Sequence, residues 1–104
     1  MRNDDIFLIT QYTEDAKVKR MQTPVFADRK SVTRTEFYSA VASGLTPKYI
    51  YEMDADDYQS AIKIIEQPDG SNREYLPSHI IADKVEYSIV RAYTSGASTE
   101  VTVR

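Results

Sequence analysis

A chain of 104 residues has room for one domain with a small core, and folds of this size bury only about two thirds of their unfolded surface. Thirteen Lys and Arg against sixteen Asp and Glu give a formal charge of −3, which offers no basic footprint for a general nucleic-acid binder. The absence of cysteine removes disulfides, thiolate metal sites and thiol nucleophiles.

Eight Tyr stand beside three Phe and no Trp, a balance that suits half-buried strand positions and protein-contacting β surfaces. No apolar run approaches the length that spans a bilayer, and the N-terminus carries no apolar signal-peptide core. The chain is expected to be soluble where it is made.

In chain order, residues 1–5 are polar, and Ile6-Phe7-Leu8-Ile9 opens a first strand that turns amphipathic through Thr13. Residues 14–23 carry Asp15, Lys17, Lys19, Arg20 and Gln22 and read as a solvated loop, with Lys17, Lys19 and Arg20 free to touch a phosphate or an acidic neighbour. Residues 25–32 form a second strand, with Pro24 at its start where a missing amide costs little.

A short helix follows. Thr33 and Glu36 have the spacing of a capping box, Gly44 suits the left-handed helix end with Leu45 folding back, and Pro47 forbids continuation. This predicts a helix over residues 34–43 whose apolar stripe is Phe37, Ala40 and Val41. So short a helix is marginal in water, so the stripe must dock on the neighbouring strands, with Phe37 as its main anchor.

Residues 48–58 alternate as a third strand. Tyr49, Tyr51, Met53 and Ala55 share one face, and Lys48, Glu52, Asp54 and Asp56 share the other with Ile50 and Tyr58. Residues 61–66 read as another strand, and Pro68-Asp69-Gly70-Ser71-Asn72 is the strongest turn signal in the chain. Residues 75–82 lead back into a sheet, irregular at Pro77. Val85, Tyr87, Ile89, Arg91 and Tyr93 then alternate along a long strand. Ser95-Gly96-Ala97-Ser98 turns the chain into an edge strand with Val101 and Val103 inward. The fold class expected is mainly β: a small antiparallel barrel-like domain spanning the chain, with one short α-helix inserted between strands.

The run Val25-Phe26-Ala27-Asp28-Arg29-Lys30-Ser31-Val32-Thr33-Arg34-Thr35-Glu36-Phe37-Tyr38, then Ala42-Ser43-Gly44-Leu45-Thr46-Pro47-Lys48-Tyr49-Ile50-Tyr51, resembles the head-tail joining proteins of long-tailed bacteriophages. Within that family it is similar to the head-closure, or stopper, branch of the siphophage type. The likeness covers residues 25–58 and resumes from His79 to the end. There His79 to Ile89 resembles a closing hairpin with Asp83-Lys84 in place of an Asn-Gly turn. Because Lys tolerates positive φ poorly, that turn is expected to be longer than two residues.

The resemblance implies a structural protein of the virion's head-tail interface, made in the host cytoplasm, with no reaction, cofactor or membrane of its own. Such a protein sits as a ring of its own copies under the portal-adaptor protein, closes the DNA channel after packaging and presents a docking surface to a tail-completion or tail-tube protein. Packaged DNA is met by occlusion rather than by specific binding.

Other chemistry weighs less. Asp54-Ala55-Asp56-Asp57 is the densest carboxylate cluster, yet the spacing is wrong for an EF-hand loop and alternation sends Asp57 away from Asp54 and Asp56. Ser31, Thr33, Thr35, Arg34 and the single His79 supply no base, orienter and oxyanion pocket together, so no catalytic residue is assigned. Gly44, Gly70 and Gly96 each serve a turn, which leaves no phosphate cradle. Arg29, Lys30 and Arg34 beside Phe26 and Tyr38 suggest an alternative, a small OB-like single-stranded nucleic-acid-binding domain. Against it, alternation puts Arg29 and Lys30 on opposite faces.

For closure, residues 40–57 are the segment expected to project toward the channel. Gly44, Leu45, Thr46, Pro47 and Lys48 would form its hinge and tip, and Asp54, Asp56 and Asp57 would repel DNA phosphates. In isolation the protein is expected to be a monomer, its ring forming only on the connector.

Overall fold

The computed structural model describes residues 3–30, 42 and 49–104. The predicted helix over residues 34–43, with Thr33, Glu36 and Phe37, lies outside the described residues except for Ala42, and so do Gly44, Leu45, Thr46, Pro47 and Lys48. The described elements run β1 (Asn3–Glu14), β2 (Lys17–Lys30), β3 (Tyr49–Asp54), α1 (Ala55–Ser60), β4 (Lys63–Glu66), β5 (Asn72–Tyr75), β6 (His79–Ala82), β7 (Val85–Ser95) and β8 (Ser98–Val103).

Strands pair in the order β1-β2-β3-β8-β7-β6, all antiparallel, and β6 returns to β1 to close a barrel. Alternation explains the core: Ile6 and Leu8 of β1, Val25 and Ala27 of β2, Tyr51 and Met53 of β3, Ile80 and Ala82 of β6, and Val101 and Val103 of β8 meet in one cluster. Each points inward from a position two residues from its fellow. The mainly β fold with a short helix between strands is thus observed, and β4–β5 forms a separate two-stranded sheet.

One barrel end is closed by α1. Tyr58 and the following Ala61 are buried in the core cluster, the Thr10 hydroxyl donates to the Ala61 carbonyl at 2.5 Å, and the Ala55 amide donates to Ala97 at 2.8 Å. At the opposite end of β3, Tyr49 meets Tyr51 and Tyr87 edge-on at 6.4 and 5.7 Å, and the Arg29 guanidinium lies 4.7 Å above the Tyr49 ring.

Several expectations are corrected. Residues 14–23 are no loop. β1 and β2 form a long hairpin with Glu14 opposite Lys17, turning at Asp15 and Ala16, whose φ values are 54° and 62°. Both central residues are left-handed, as a two-residue turn matched to the twist of the strands requires. Pro24 stands inside β2, opposite Phe7. It is tolerated there because, among the described residues, β3 pairs with β2 only over Asp28, Arg29 and Lys30, so no described ladder bond is missed at Pro24.

β3 stops at Asp54, and the rest of the expected third strand is α1. Asp54 holds the N-cap position and Asp56 and Asp57 fill the first turn, where carboxylates favour the positive helix end. Tyr58 therefore leaves the polar face for the core, and Ile50 is buried as well. The Asp83-Lys84 turn is two residues long, with φ of 50° and 66°, because the required twist outweighs the left-handed cost of Lys. In β7 the register shifts between Ile89 and Arg91, so the expected alternation breaks and Ala92 comes to face Val101. Finally, β8 is no edge strand, since β3 and β7 pair with it on either side.

The left-handed Ala16 yields a direct expectation. Ala16→Gly should raise the unfolding free energy by about 0.5–1 kcal/mol, the relief of the Cβ clash less the entropy that Gly adds to the unfolded chain. The urea midpoint measures it, and a lowered midpoint would refute the turn geometry.

Candidate functional site

Two of the three acidic residues singled out in the sequence, Asp54 and Asp57, meet on the outer face where β2, β3, α1 and β8 come together. A shallow cleft of 340 Å³ is lined by Phe26, Asp28, Glu52, Met53, Asp54, Asp57 and Ser98. The helix, not a strand, sets this geometry: Asp54 and Asp57 sit three residues apart and share a side, which corrects the expectation that alternation separates them. Asp56 is exposed and does not line the cleft. Among the described residues no three His, Cys, Asp or Glu are placed to hold a metal ion.

Lys30 governs the charge of this face. Its ammonium lies 2.6 Å from Glu52 Oε2 and 3.5 Å from Glu100 Oε1, drawing β2, β3 and β8 together across the barrel wall. The hydrogen bond to Glu52 pushes the Lys30 pKa above its ordinary value, with the charges of Glu52 and Glu100 acting the same way. Lys30 is thus engaged on the outer face while Arg29, one residue earlier, lies over the Tyr49 ring. The stacked cationic platform of an OB-like nucleic-acid site is not assembled from this pair.

The basic group of β2 is likewise engaged. Lys19 bonds Glu14 at 3.0 Å and holds its carboxyl below the usual range, while Arg20 pairs with Glu86 of β7. Sequence order hides the second contact, because its partners lie 66 residues apart. His79 Nδ1 lies 2.7 Å from Ser78 Oγ, and the Ser78 main chain bonds both Ile9 and Ile89. That pair joins β1, β6 and β7, which is a structural task.

A second, larger cleft of 810 Å³ opens between the tip of the β1–β2 hairpin and β4–β5. Glu14 and Asp15 line one side, and Lys63, Glu66, Arg73 and Tyr75 the other. At its root Tyr12 meets Tyr75 edge-on at 6.4 Å, with Lys63 5.2 Å above Tyr12 and Arg73 5.0 Å above Tyr75. Sequence reasoning overlooked this cluster because it assigned residues 14–23 to a loop. On the barrel exterior Phe26 is 67% and Phe7 40% exposed, near neighbours across β1 and β2. Among the described residues no helix is long and apolar enough to cross a membrane.

No protein-family model, curated protein or solved structure matches this chain.

Proposed function

We propose that this chain is a structural head-tail connector component of a long-tailed phage or prophage. It would form a ring under the portal-adaptor protein, close the DNA channel after packaging and dock the tail. The observation that carries this reading is the way the stopper-like phrase sits in the barrel. Its residues 25–30 are the end of β2, its residues 49–51 open β3, and these two strands are barrel neighbours, with Asp28 opposite Glu52 and Lys30 opposite Ile50. The family's phrase likewise crosses from one strand to the next. The barrel interior is occupied by the side chains of its core, so recognition falls to the outer surfaces, as a ring component needs.

The closure hypothesis narrows with the fold. Residues 49–54 form a barrel wall paired on both sides, and Asp54, Asp56 and Asp57 begin the helix that closes the barrel end. Within this proposal the projecting part narrows to residues 40–48, with Gly44, Leu45, Thr46, Pro47 and Lys48 as its hinge and tip, while the acidic face discourages duplex phosphates from adhering.

A pull-down of the full chain on an assembled portal-adaptor complex is the test, and retention is expected. Failure to bind, together with tight binding of single-stranded DNA, would replace the connector reading with the OB-like one. Deleting residues 43–48 should leave the protein on particles that lose their packaged DNA. Retained DNA at normal ring occupancy would remove that segment from closure.

A further inference from the structure

The outer face of β2, β3 and β8 sets like charges side by side. The ladders place Asp28 opposite Glu52 and Glu52 opposite Glu100, so three carboxylates stand in one row across three strands. Asp54 and Asp57 lie beside that row in the 340 Å³ cleft. Directly opposed like charges destabilise a sheet, and the described ion pairs on this face all run to one cation, Lys30. Lys30 engages Glu52 and Glu100 only. Among the described residues Asp28, Asp54 and Asp57 form no ion pair, and no Lys or Arg lines the cleft.

Asp28 adds an independent sign. Its Oδ1 is shielded from solvent and finds no hydrogen-bond donor among the described residues. A carboxylate that is solvated on one oxygen only pulls harder on a nearby cation than a fully hydrated one does.

Aromatic rings frame the same face. Phe26, 67% exposed, lines the cleft, and Tyr93, 63% exposed, lines a neighbouring hollow of 360 Å³ with Ser95 and Glu100. Glu52 and Ser98 belong to both, so the two hollows run into one groove. Phe26 on β2 and Tyr93 on β7 are separated by β3 and β8, three strand spacings or about 14 Å. Carboxylates beside an exposed ring suit a guanidinium, whose face stacks on the ring while its edge donates to the acid.

We propose that this groove docks an extended, arginine-bearing segment of another protein, with one arginine against Phe26 and a second, four residues along, against Tyr93. An extended chain advances about 3.4 Å per residue, so four residues match the separation of the rings and return the side chain to the same side. Phe7 and Pro24, outward on β1 and β2 next to Phe26, give an apolar residue of that segment a place to lie. The same carboxylates repel phosphate, so neither nucleic acid nor an anionic membrane is the occupant. No two arginines of this chain stand four residues apart, so a second copy does not supply the segment. The groove is built from barrel strands and α1, and the proposal holds whether or not the connector reading does.

Fluorescence anisotropy of the full-length chain against a short labelled peptide of leucine and serine, carrying two arginines four apart, should show saturable binding. Replacing both arginines by citrulline, which keeps the shape and loses the charge, should abolish it. Setting the two arginines next to each other should weaken binding about fivefold. Phe26→Ala and the double variant Asp54→Asn/Asp57→Asn should each weaken it about tenfold, while Glu66→Gln and Glu74→Gln, at acids of β4 and β5, leave it unchanged. On adding the peptide, backbone amide shifts should move at Asp28, Asp54 and Tyr93. Absence of saturable binding would overturn the proposal. So would undiminished affinity in the Phe26 or aspartate variants or for the adjacent-arginine peptide, shifts concentrated elsewhere on the chain, or displacement of the peptide by spermine at equal charge.

Discussion

Leu8→Ala should cost about 3–4 kcal/mol, among the largest losses any single truncation can bring to this fold. Leu8 is 0% exposed and sits in the middle of β1, opposite Thr23 on one side and Ile80 on the other, so both neighbouring strands press on it. Removing its isobutyl group forfeits the transfer energy and leaves a cavity that a closed sheet cannot collapse to fill. Domains of this kind are stable by about 5–15 kcal/mol, so the variant would keep only part of that margin. Phe7 is the internal control. It is 40% exposed on the outer face, and Phe7→Ala should cost about 1 kcal/mol despite the larger ring. Urea unfolding with unchanged slope measures both, and equal losses would show that the barrel's inner and outer faces are wrongly assigned.

Tyr58→Ala should cost about 3 kcal/mol or more, because that ring joins α1 to the core at the barrel end. Tyr58→Phe keeps the ring and separates packing from proton chemistry. Burial pushes the Tyr58 phenol above its ordinary pKa of 10.0, so the folded state holds a proton that the unfolded state releases first. The contribution is fully present below about pH 10 and is lost as pH rises through the raised value. Wild type should therefore lose stability relative to Tyr58→Phe above pH 10. Lys19 and Lys30, whose pKa values are also raised, titrate in the same alkaline direction but are common to both proteins and cancel in the comparison. A constant difference across that range would show that the phenol is not desolvated.

Much of the barrel is legible in the residues. Ile6 and Leu8, Val101 and Val103, and the turn around Asp69-Gly70 announce themselves because an inward apolar residue every second position and a residue with positive φ are local signals. The outer part of the β1–β2 hairpin is not legible in this way. Lys17, Lys19 and Arg20 have no buried face to alternate toward once the hairpin leaves the barrel, so their strand identity rests on pairing with β1 alone. Six residues of α1 are too few to display a helical period, and the alternation of β3 runs into them without a break. The acidic face is assembled from Asp28, Glu52, Asp54 and Asp57 on three elements, and Thr10 reaches Ala61 across 51 positions. Contacts of that separation leave no trace in a local window.

The β1–β6 seam bears on the order in which the molecule assembles. Its four pairs, Ile6 with Ala82 through Ile9 with His79, join the first strand to a strand some seventy positions later. The β1–β2 hairpin, by contrast, zips from a two-residue turn. Chain entropy must be surrendered over that long separation before the four pairs return anything, so the cylinder stays an open, curling sheet until its final step. In the finished barrel this seam is one of the short ladders, four pairs beside the three of β2–β3 among the described residues, and the Ser78 main chain, bonded to both Ile9 and Ile89, ties it to β7.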